Sequence, residues 1–462
     1  MFDKALIDSL DDMVQTLRDS LRIKSDAQPP RPGMPNGEGV ARALEHALSV
    51  AEDMGFTTRN IDGQVGYAEY GQGGEMVAVL GHVDVVPVGD GWKYPPFSGE
   101  VADGAIYGRG AQDNKGPIFA ALYGLKAIKD SGLPLKKRVR VIFGTCEETN
   151  MSDMVYYADR EELPVAGFTP DSDFPVIYAE KGILHIVFSR AFDTPDAAAD
   201  AAATATAAAD ATTADTTAAA DTRPGVRFVS INCGTVANSV PDKAEAVLEI
   251  DGRQVRLESL GKAAHGSTPL QGDNAIFGLL RLLRLQDIEP EYRDCFAFLG
   301  DAMGRETFGE DLGLAMSDAP SGSLTANFGL LNGDRSRIKG SLDIRYPVTA
   351  SKDEILDILG CKLEEGGFAI DTLHHLAPLY RPLDDDLVKT LAGIFAEKTG
   401  TWHEPVSTGG GTYARTLPNI LAFGPRYPGE EHLFHQTDEN ITIDYLLLLS
   451  QIYAQAIYEL AV

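Results

Sequence analysis

The first 160 residues alternate between short apolar runs and stretches with helical periodicity. Residues 75–81 form an apolar run ending in Gly, and 137–145 has the pattern of a second strand. Residues 39–54 and 115–132 are predicted helices, and Gly55 directly follows the first of them. Because parallel strands need a crossover helix between them, this alternation predicts an α/β layer with a mixed, mostly parallel sheet.

The pattern changes in the middle of the chain. From about residue 185, strands such as 244–252 alternate apolar and polar residues, which is typical of a sheet with one solvated face. After about residue 376 the α/β pattern returns, with a strand at 417–424. We therefore predict one α/β domain made from residues 1–184 and 376–462, with an α+β domain, 185–375, inserted between them.

The N-terminal residues predict a single amphipathic helix. Acidic residues interrupt the segment throughout, so it lacks the apolar core of a signal peptide. No run of about 18 apolar residues occurs in the chain, and we expect no membrane span. The apolar residues with helical spacing are Phe2, Leu6, Leu10, Met13, Leu17 and Leu21.

Charge and cysteine content narrow the class of partner. The net charge of −28 argues against nucleic acid and anionic membranes, because phosphate binding needs clustered Lys and Arg. Four cysteines without a CxxC pair indicate a reduced, cytoplasmic protein. Residues 196–222 contain only Ala, Thr and Asp, with no large apolar side chain, and we expect a flexible surface insertion there.

Several acids and histidines follow predicted strand ends, where open α/β sheets place their ligand sites. His82 and Asp84 follow the 75–81 run, and Glu147 and Glu148 follow 137–145. Taken singly, each group has a simpler explanation: a hydrogen-bonded turn for the first and an exposed acidic turn for the second.

Three further segments carry the same residue types. Asp113 lies in a Gly-rich stretch just before a predicted helix, where an N-cap is the alternative. Asp171 lies in a Pro/Asp segment that also fits a turn, and His435 lies near the C-terminus. Together with His82 and the glutamates they form the nitrogen and oxygen ligand set that suits zinc.

The ordered series of motifs resembles the zinc-dependent carnosinase/aminoacylase-type metallopeptidases, and within them the bacterial dipeptidases of the PepV type. The resemblance spans residues 81–439. It implies a zinc-exopeptidase-like catalytic domain with an inserted lid. The motifs are GHVDVVP (81–87), GRGAQDNKGP (108–117), CEET (146–149), TPDSDFPVIYAEKG (169–182), AAHGSTP (263–269), GGGTYAR (409–415) and HQTDE (435–439).

The resemblance implies two Zn²⁺ ions per chain. His82 and Asp171 would bind one ion, Glu148 and His435 the other, and Asp113 would bridge them. Such ligands also accept Co²⁺ or Mn²⁺.

Catalytic roles follow from the same resemblance. Glu147 would be the general base that takes a proton from the metal-bridging water, and Asp84 would orient His82. Because His435 directly precedes QTDE, it is preferred as the ligand, and His432 is expected to be a bystander.

The inserted domain would carry substrate groups. His265 would stabilise the oxyanion of the tetrahedral intermediate, and Arg345 would hold the C-terminal carboxylate of the substrate. Gly410 and Thr412 would add donors to that carboxylate, and Asn238 is a weaker candidate for substrate binding.

The resemblance thus implies a dipeptidase that cleaves dipeptides or short peptides with a free N-terminus. An N-acyl-amino-acid deacylase or desuccinylase of the same family is the alternative. A metal-binding protein without catalysis is a third hypothesis, against which the presence of Glu147 argues. The length of the inserted domain favours a monomer over a dimer.

Overall fold

The computed structural model describes residues 1–193, 225–304, 307–430 and 433–462. The predicted insertion at 196–222 and the bystander His432 both lie outside the described residues. The described helices are α1 Asp3–Asp8, α2 Leu10–Leu21, α3 Glu38–Asp53, α4 Lys115–Ser131, α5 Ser152–Ala158, α6 Ala275–Arg284, α7 Pro290–Met303, α8 Lys352–Glu365, α9 Asp386–Thr399 and α10 Ile443–Ala461.

The described strands are numbered in chain order. They are β1 Thr57–Ile61, β2 Val65–Tyr70, β3 Met76–His82, β4 Glu100–Ala102, β5 Ala105–Tyr107, β6 Arg138–Gly144, β7 Ala166–Thr169, β8 Ser172–Asp173, β9 Ile177–Glu180, β10 Gly182–Ala191, β11 Val226–Cys233, β12 Ser239–Val240, β13 Lys243–Ile250, β14 Arg253–Leu260, β15 Ala264–His265, β16 Ser317–Asp318, β17 Gly322–Ser323, β18 Thr325–Asp334, β19 Arg337–Tyr346, β20 Ala369–Leu376, β21 Leu379–Tyr380, β22 Val406–Thr408, β23 Ile420–Ala422, β24 Pro425–Arg426 and β25 Asn440–Thr442.

The chain forms two compact units. The first unit comprises Met1–Ala179 and Leu379–Val462, and the second comprises Glu180–Pro378. The sheet of the first unit has the strand order β1-β2-β6-β3-β7-β23-β9-β21, and β22 also pairs with β9. Strands β6, β3, β7 and β23 are parallel, whereas β1 and β2 are antiparallel to their neighbours. The predicted mixed α/β sheet is confirmed, and its parallel part is the four central strands.

Strand β3 is buried on both faces. Its successive side chains point in opposite directions, and each of the two sets packs into a hydrophobic core. Val77 and Val79 pack into the core that contains α4 and α10. Met76, Ala78 and Leu80 pack into a second core on the other face, with Tyr157 and Tyr413 among its members. This double burial explains why β3 is apolar along its length, and it fixes the position of the residues that follow.

The predicted single N-terminal helix is wrong in one respect, because the structure has two helices that meet at Ser9. The Ser9 hydroxyl donates to the carbonyl of Ala5 at 2.8 Å, which favours a turn over a continued helix. Five of the six predicted apolar residues are nevertheless buried; Leu10 is only partly buried. The predicted strand at 417–424 is likewise shorter, since only Ile420–Ala422 pairs in the sheet.

The second unit contains an antiparallel sheet with the order β14-β13-β11-β18-β19-β10-β20. One face of this sheet packs against α6, α7 and α8 to form its own hydrophobic core. Strand β13 alternates between more and less buried residues, as its sequence predicted.

Candidate metal centre

Three neighbouring parallel strands end at one edge of the sheet in the first unit. His82 is the last residue of β3, Glu147 and Glu148 follow β6 closely, and Asp171 follows β7. Because β6, β3 and β7 are adjacent and parallel, their carboxyl ends deliver these side chains to one place.

Asp113 connects the two predicted histidine ligands. Its Oδ1 lies 3.1 Å from Nε2 of His82, and its Oδ2 lies 3.1 Å from Nε2 of His435. Nε2 of His435 also lies 3.1 Å from Oε2 of Glu148, while Nε2 of His82 lies 3.7 Å from Oδ2 of Asp171.

The five predicted ligands therefore form two groups that share Asp113. One group is His82, Asp113 and Asp171; the other is Asp113, Glu148 and His435. Within each group the candidate ligand atoms all lie within 4.8 Å of one another. Two adjacent ligand groups that share one carboxylate are suited to hold two metal ions close together.

The chemistry of these side chains fits bound cations. Burial raises the pKa of Glu148 to about 7, and the negative charge of Asp113 contributes. Burial and the charge of Asp113 likewise raise the pKa of Asp171 to about 6. Oε1 of Glu148 is buried and has no hydrogen-bond partner among the described residues. A divalent cation would compensate both the crowded negative charge and the unsatisfied oxygen.

The histidines respond to the same negative charge. Partial desolvation alone would lower the pKa of His435, whose side chain is half-exposed, but hydrogen bonds to Asp113 and Glu148 raise the pKa to about 11. Burial also opposes the charge of His82, yet its carboxylate partners raise its pKa well above the usual value. In return, although burial opposes its ionisation, hydrogen bonds to both histidines lower the pKa of Asp113.

Asp84 organises the site from behind His82. Nδ1 of His82 lies 3.0 Å from the backbone oxygen of Asp84 and 3.4 Å from its Oδ1. Both oxygens are acceptors, so Nδ1 of His82 carries a proton, and in the neutral ring the lone pair on Nε2 is available to a cation held beside Asp113 and Asp171. The carboxylate of Asp84 also accepts the backbone N–H groups of Glu147 and Glu148, at 3.3 and 3.2 Å.

Glu147 shares the electrostatic environment of the ligands. Burial, followed by the charge of Asp171, raises the pKa of Glu147 well above that of an exposed glutamate. A carboxylate in this environment holds a proton more readily, which is what a group that accepts and returns protons requires.

Sequence reasoning missed the residues that hold the 145–148 turn. Oδ2 of buried Asp153 accepts the N–H groups of Thr145 and Cys146, at 2.6 and 3.2 Å. The Tyr413 hydroxyl donates to the same oxygen at 2.6 Å, and its ring packs edge-on against His82 with centroids 6.1 Å apart. Tyr413 belongs to the GGGTYAR motif, and this motif is the sequence feature that could have pointed to it.

A second missed pair joins the loops that carry Asp113 and His435. Arg109 Nη1 lies 2.9 Å from Oε2 of Glu439, and both side chains are buried. Both residues stand in motifs of the sequence, GRGAQDNKGP and HQTDE, but the motifs alone do not indicate that the two side chains pair.

The predicted substrate residues divide between the two units. Gly410 and Thr412 lie in the first unit, where the Gly410 N–H donates to Thr408 Oγ1 at 3.0 Å and Thr412 Oγ1 accepts the N–H of Ala414 at 3.1 Å. Both groups thus make hydrogen bonds within their own loop.

His265, Asn238 and Arg345 lie in the second unit. His265 and Asn238 are neighbours, because β12 pairs with β15 and the Gly266 N–H donates to the carbonyl of Asn238 at 2.7 Å. Buried Arg345 forms a two-point ion pair with Asp343, at 2.7 and 2.9 Å, which orients its guanidinium plane.

Comparison with known proteins places the chain in a family. The sequence model of Peptidase family M20/M25/M40 matches residues 78–459, and the chain belongs to this family. It is 38% identical to "Putative dipeptidase YtjP" of Bacillus subtilis (strain 168), over 98% of this chain and 97% of the relative. It is 31% identical to a "Putative dipeptidase" of Staphylococcus epidermidis, over 97% of this chain and 95% of the relative.

The fold is shared with solved structures of low sequence identity. Human carnosine dipeptidase 1 superimposes with a TM-score of 0.59 at 16% identity, covering 100% of this chain and 98% of the human chain. The family assignment and the fold class expected from the sequence are confirmed, and the chain is a hydrolase. Among its described helices, none has the length and apolar character needed to cross a membrane.

Proposed function

We propose that this protein is a dinuclear zinc dipeptidase that hydrolyses dipeptides or short peptides with a free N-terminus. The observation that carries the proposal is the pair of ligand groups that share Asp113, with Glu147 in the same electrostatic environment. His82 and Asp171 would hold one ion, Glu148 and His435 the other, and Asp113 both. When bound, the two ions would supply a lowered pKa for the attacking water and polarise the scissile carbonyl.

Glu147 is the group that moves the proton. Its carboxylate takes a proton from the attacking water and delivers it to the nitrogen of the leaving amine. Its backbone N–H is held by Asp84, which also orients His82, so that base and ligand are placed by one buried carboxylate. This shared support fixes the position of Glu147 relative to the candidate metal ligands.

His265 has the chemistry of an oxyanion donor. Its Nδ1 accepts the backbone N–H of Ser267 at 3.2 Å, so the neutral ring carries its proton on Nε2. An Nε2–H donor suits the developing oxyanion of the tetrahedral intermediate, and we assign His265 this role. Arg345, oriented by Asp343, is assigned to the C-terminal carboxylate of the substrate. Asn238 is assigned to substrate binding beside His265.

The names of the relatives support cleavage of dipeptides over deacylation. The test is a panel of dipeptides assayed beside acetyl- and succinyl-amino acids, with the purified chain loaded with zinc. We expect turnover of dipeptides with a free N-terminus and little turnover of the same dipeptides after N-acetylation. Activity confined to the acylated compounds would contradict the proposal.

We also propose a cytoplasmic location. All four cysteines are free thiols, and three of them are buried, which is typical of a reducing compartment. A monomer is the expected state, and light scattering of the purified chain tests it.

A further inference from the structure

The loops that carry Asp113 and His435 are joined by the buried ion pair of Arg109 and Glu439, whose side chains are 2% and 0% exposed. Neither residue belongs to the two ligand groups. We propose that Arg109 and Glu439 form a positioning pair that sets the spacing between Asp113 and His435, and thereby the affinity of the metal ion that His435 holds. This inference rests on the metal centre of the proposed function.

Glu439 fixes the loop that precedes α4. Its Oε2 accepts the N–H of Gly110 at 3.0 Å, besides the Arg109 guanidinium. Its Oε1 accepts the N–H groups of Gln112 and Asp113, at 2.8 and 3.1 Å. One carboxylate therefore binds three backbone N–H groups of a single loop, including the N–H of the bridging ligand itself.

Arg109 fixes the other loop. Its Nη1 donates to the carbonyl of Gln436 at 3.0 Å, and its Nη2 donates to the carbonyl of His435 at 3.3 Å. His435 has a left-handed backbone with φ 62°, which is uncommon for a residue with a side chain and has to be held by surrounding contacts. The guanidinium carbon also lies 5.2 Å from the centre of the Trp92 ring, which packs beside it.

The two metal groups depend on this pair to different degrees. His82 is the last residue of β3, and Asp171 lies two residues after the end of β7 and accepts a hydrogen bond from Asn114 at 3.3 Å. Both are placed by the central sheet. His435 lies on a loop with a half-exposed side chain. Asp113 belongs to both groups, so loss of the pair should weaken both of them. The group that contains His435 should lose more, because His435 itself lies on the loop that Arg109 holds.

The test measures zinc binding to the metal-free full-length chain by titration calorimetry. The absorption spectrum of the Co²⁺ form gives a second measurement of the two sites. In Glu439→Gln an amide nitrogen replaces one acceptor and faces N–H donors. We expect the affinity of one of the two ions to fall about 10–100-fold, as for other residues that support metal ligands, and the other to change less. Arg109→Lys keeps the charge but cannot reach both carbonyls, and we expect the same selective loss.

Glu289→Gln is the matched control. Glu289 is also buried, accepts a backbone N–H, that of Phe228, at 3.0 Å, and pairs with Arg335 at 2.5 Å, but it lies in the second unit. We expect this variant to lose thermal stability while its two zinc affinities stay at the wild-type values.

The outcomes separate this inference from the proposed function. Wild-type affinities in folded Glu439→Gln and Arg109→Lys overturn the positioning role, and so does an equal loss at both sites or a similar loss in Glu289→Gln. If Glu439→Gln does not fold, Arg109→Lys decides by the same readings. A wild-type chain that binds no zinc contradicts the proposed function and the positioning role with it, whereas unchanged variants of a two-zinc protein contradict the positioning role alone.

Discussion

Asp84→Asn should reduce catalysis without unfolding the protein. The side chain is fully buried, and its carboxylate accepts the N–H groups of both Glu147 and Glu148, at 3.3 and 3.2 Å. An asparagine oxygen can accept only one of these bonds in the same pose. The amide nitrogen of the asparagine then faces another donor, either the second of these backbone N–H groups or Nδ1–H of His82. Two donors cannot form a hydrogen bond with each other.

The size of the effect follows from the bonds that are lost. A hydrogen bond to a charged group contributes about 1.5–3 kcal/mol, so we take about 2 kcal/mol for the one that Asp84→Asn removes. If the transition state loses about 2 kcal/mol of stabilisation because the base and the ligand are less well placed, the rate falls about 30-fold. This agrees with the range of about 10–100-fold for groups that support metal ligands.

The assay is kcat and KM on a dipeptide, together with zinc affinity by calorimetry. We expect kcat to fall and KM to change little, since Asp84 supports the reacting groups and does not bind the peptide. Asp62→Asn is the control, because Asp62 is exposed and its carboxylate contacts Tyr156 at the surface. If Asp84→Asn stays within threefold of wild type in both kcat and zinc affinity, the reasoning about Asp84 is refuted.

Three further perturbations have expected outcomes. Zinc affinity should rise with pH through the region near 7, because the pKa of Glu148 is raised to about 7 and zinc must displace the proton that Glu148 carries below that pH. Calorimetry in buffers of different ionisation heat measures the proton release. A pH-independent zinc affinity would argue against this reasoning. Arg345→Lys should raise KM about tenfold for dipeptides with a free carboxylate but not for dipeptide amides. Lys cannot make the two-point contact with a carboxylate for which Asp343 orients the Arg345 guanidinium. Equal effects on both substrates would exclude a carboxylate role. Leu125→Ala in α4 should cost about 2–5 kcal/mol of unfolding free energy in a urea titration with zinc content unchanged; loss of zinc at the same time would show that the core and the metal centre are not independent.

Much of the first unit could be predicted because its elements are marked locally. The strand expected at 75–81 is observed at Met76–His82, and the helix expected at 115–132 is observed at Lys115–Ser131 and ends at left-handed Gly132. Hydrophobic runs and helix-ending glycines carry this information within a few residues. The break at Ser9 was not predicted, because the apolar spacing continues through it and only the serine hydroxyl distinguishes the two helices.

Four of the five candidate ligands could be found from sequence because they follow a strand or precede a helix, whereas His435 lies on a loop and is indicated only by the HQTDE motif. The supporting pairs could not, since Arg109 and Glu439 are 330 residues apart and Asp153 and Tyr413 are 260 apart. Nothing near either member indicates its partner. The ion pair of Arg345 is different, because Asp343 is two residues away on the same face of β19 and the spacing alone could have shown it.

The central claim is that Glu147 moves the proton at a two-zinc centre without holding the metal. Its most direct test is Glu147→Ala, with zinc per chain measured by elemental analysis and dipeptide hydrolysis measured on the same sample. The account predicts two zinc ions per chain in both wild type and variant, and turnover in the wild type only. A variant that still hydrolyses dipeptides at the wild-type rate, or that loses its zinc together with its activity, would contradict it.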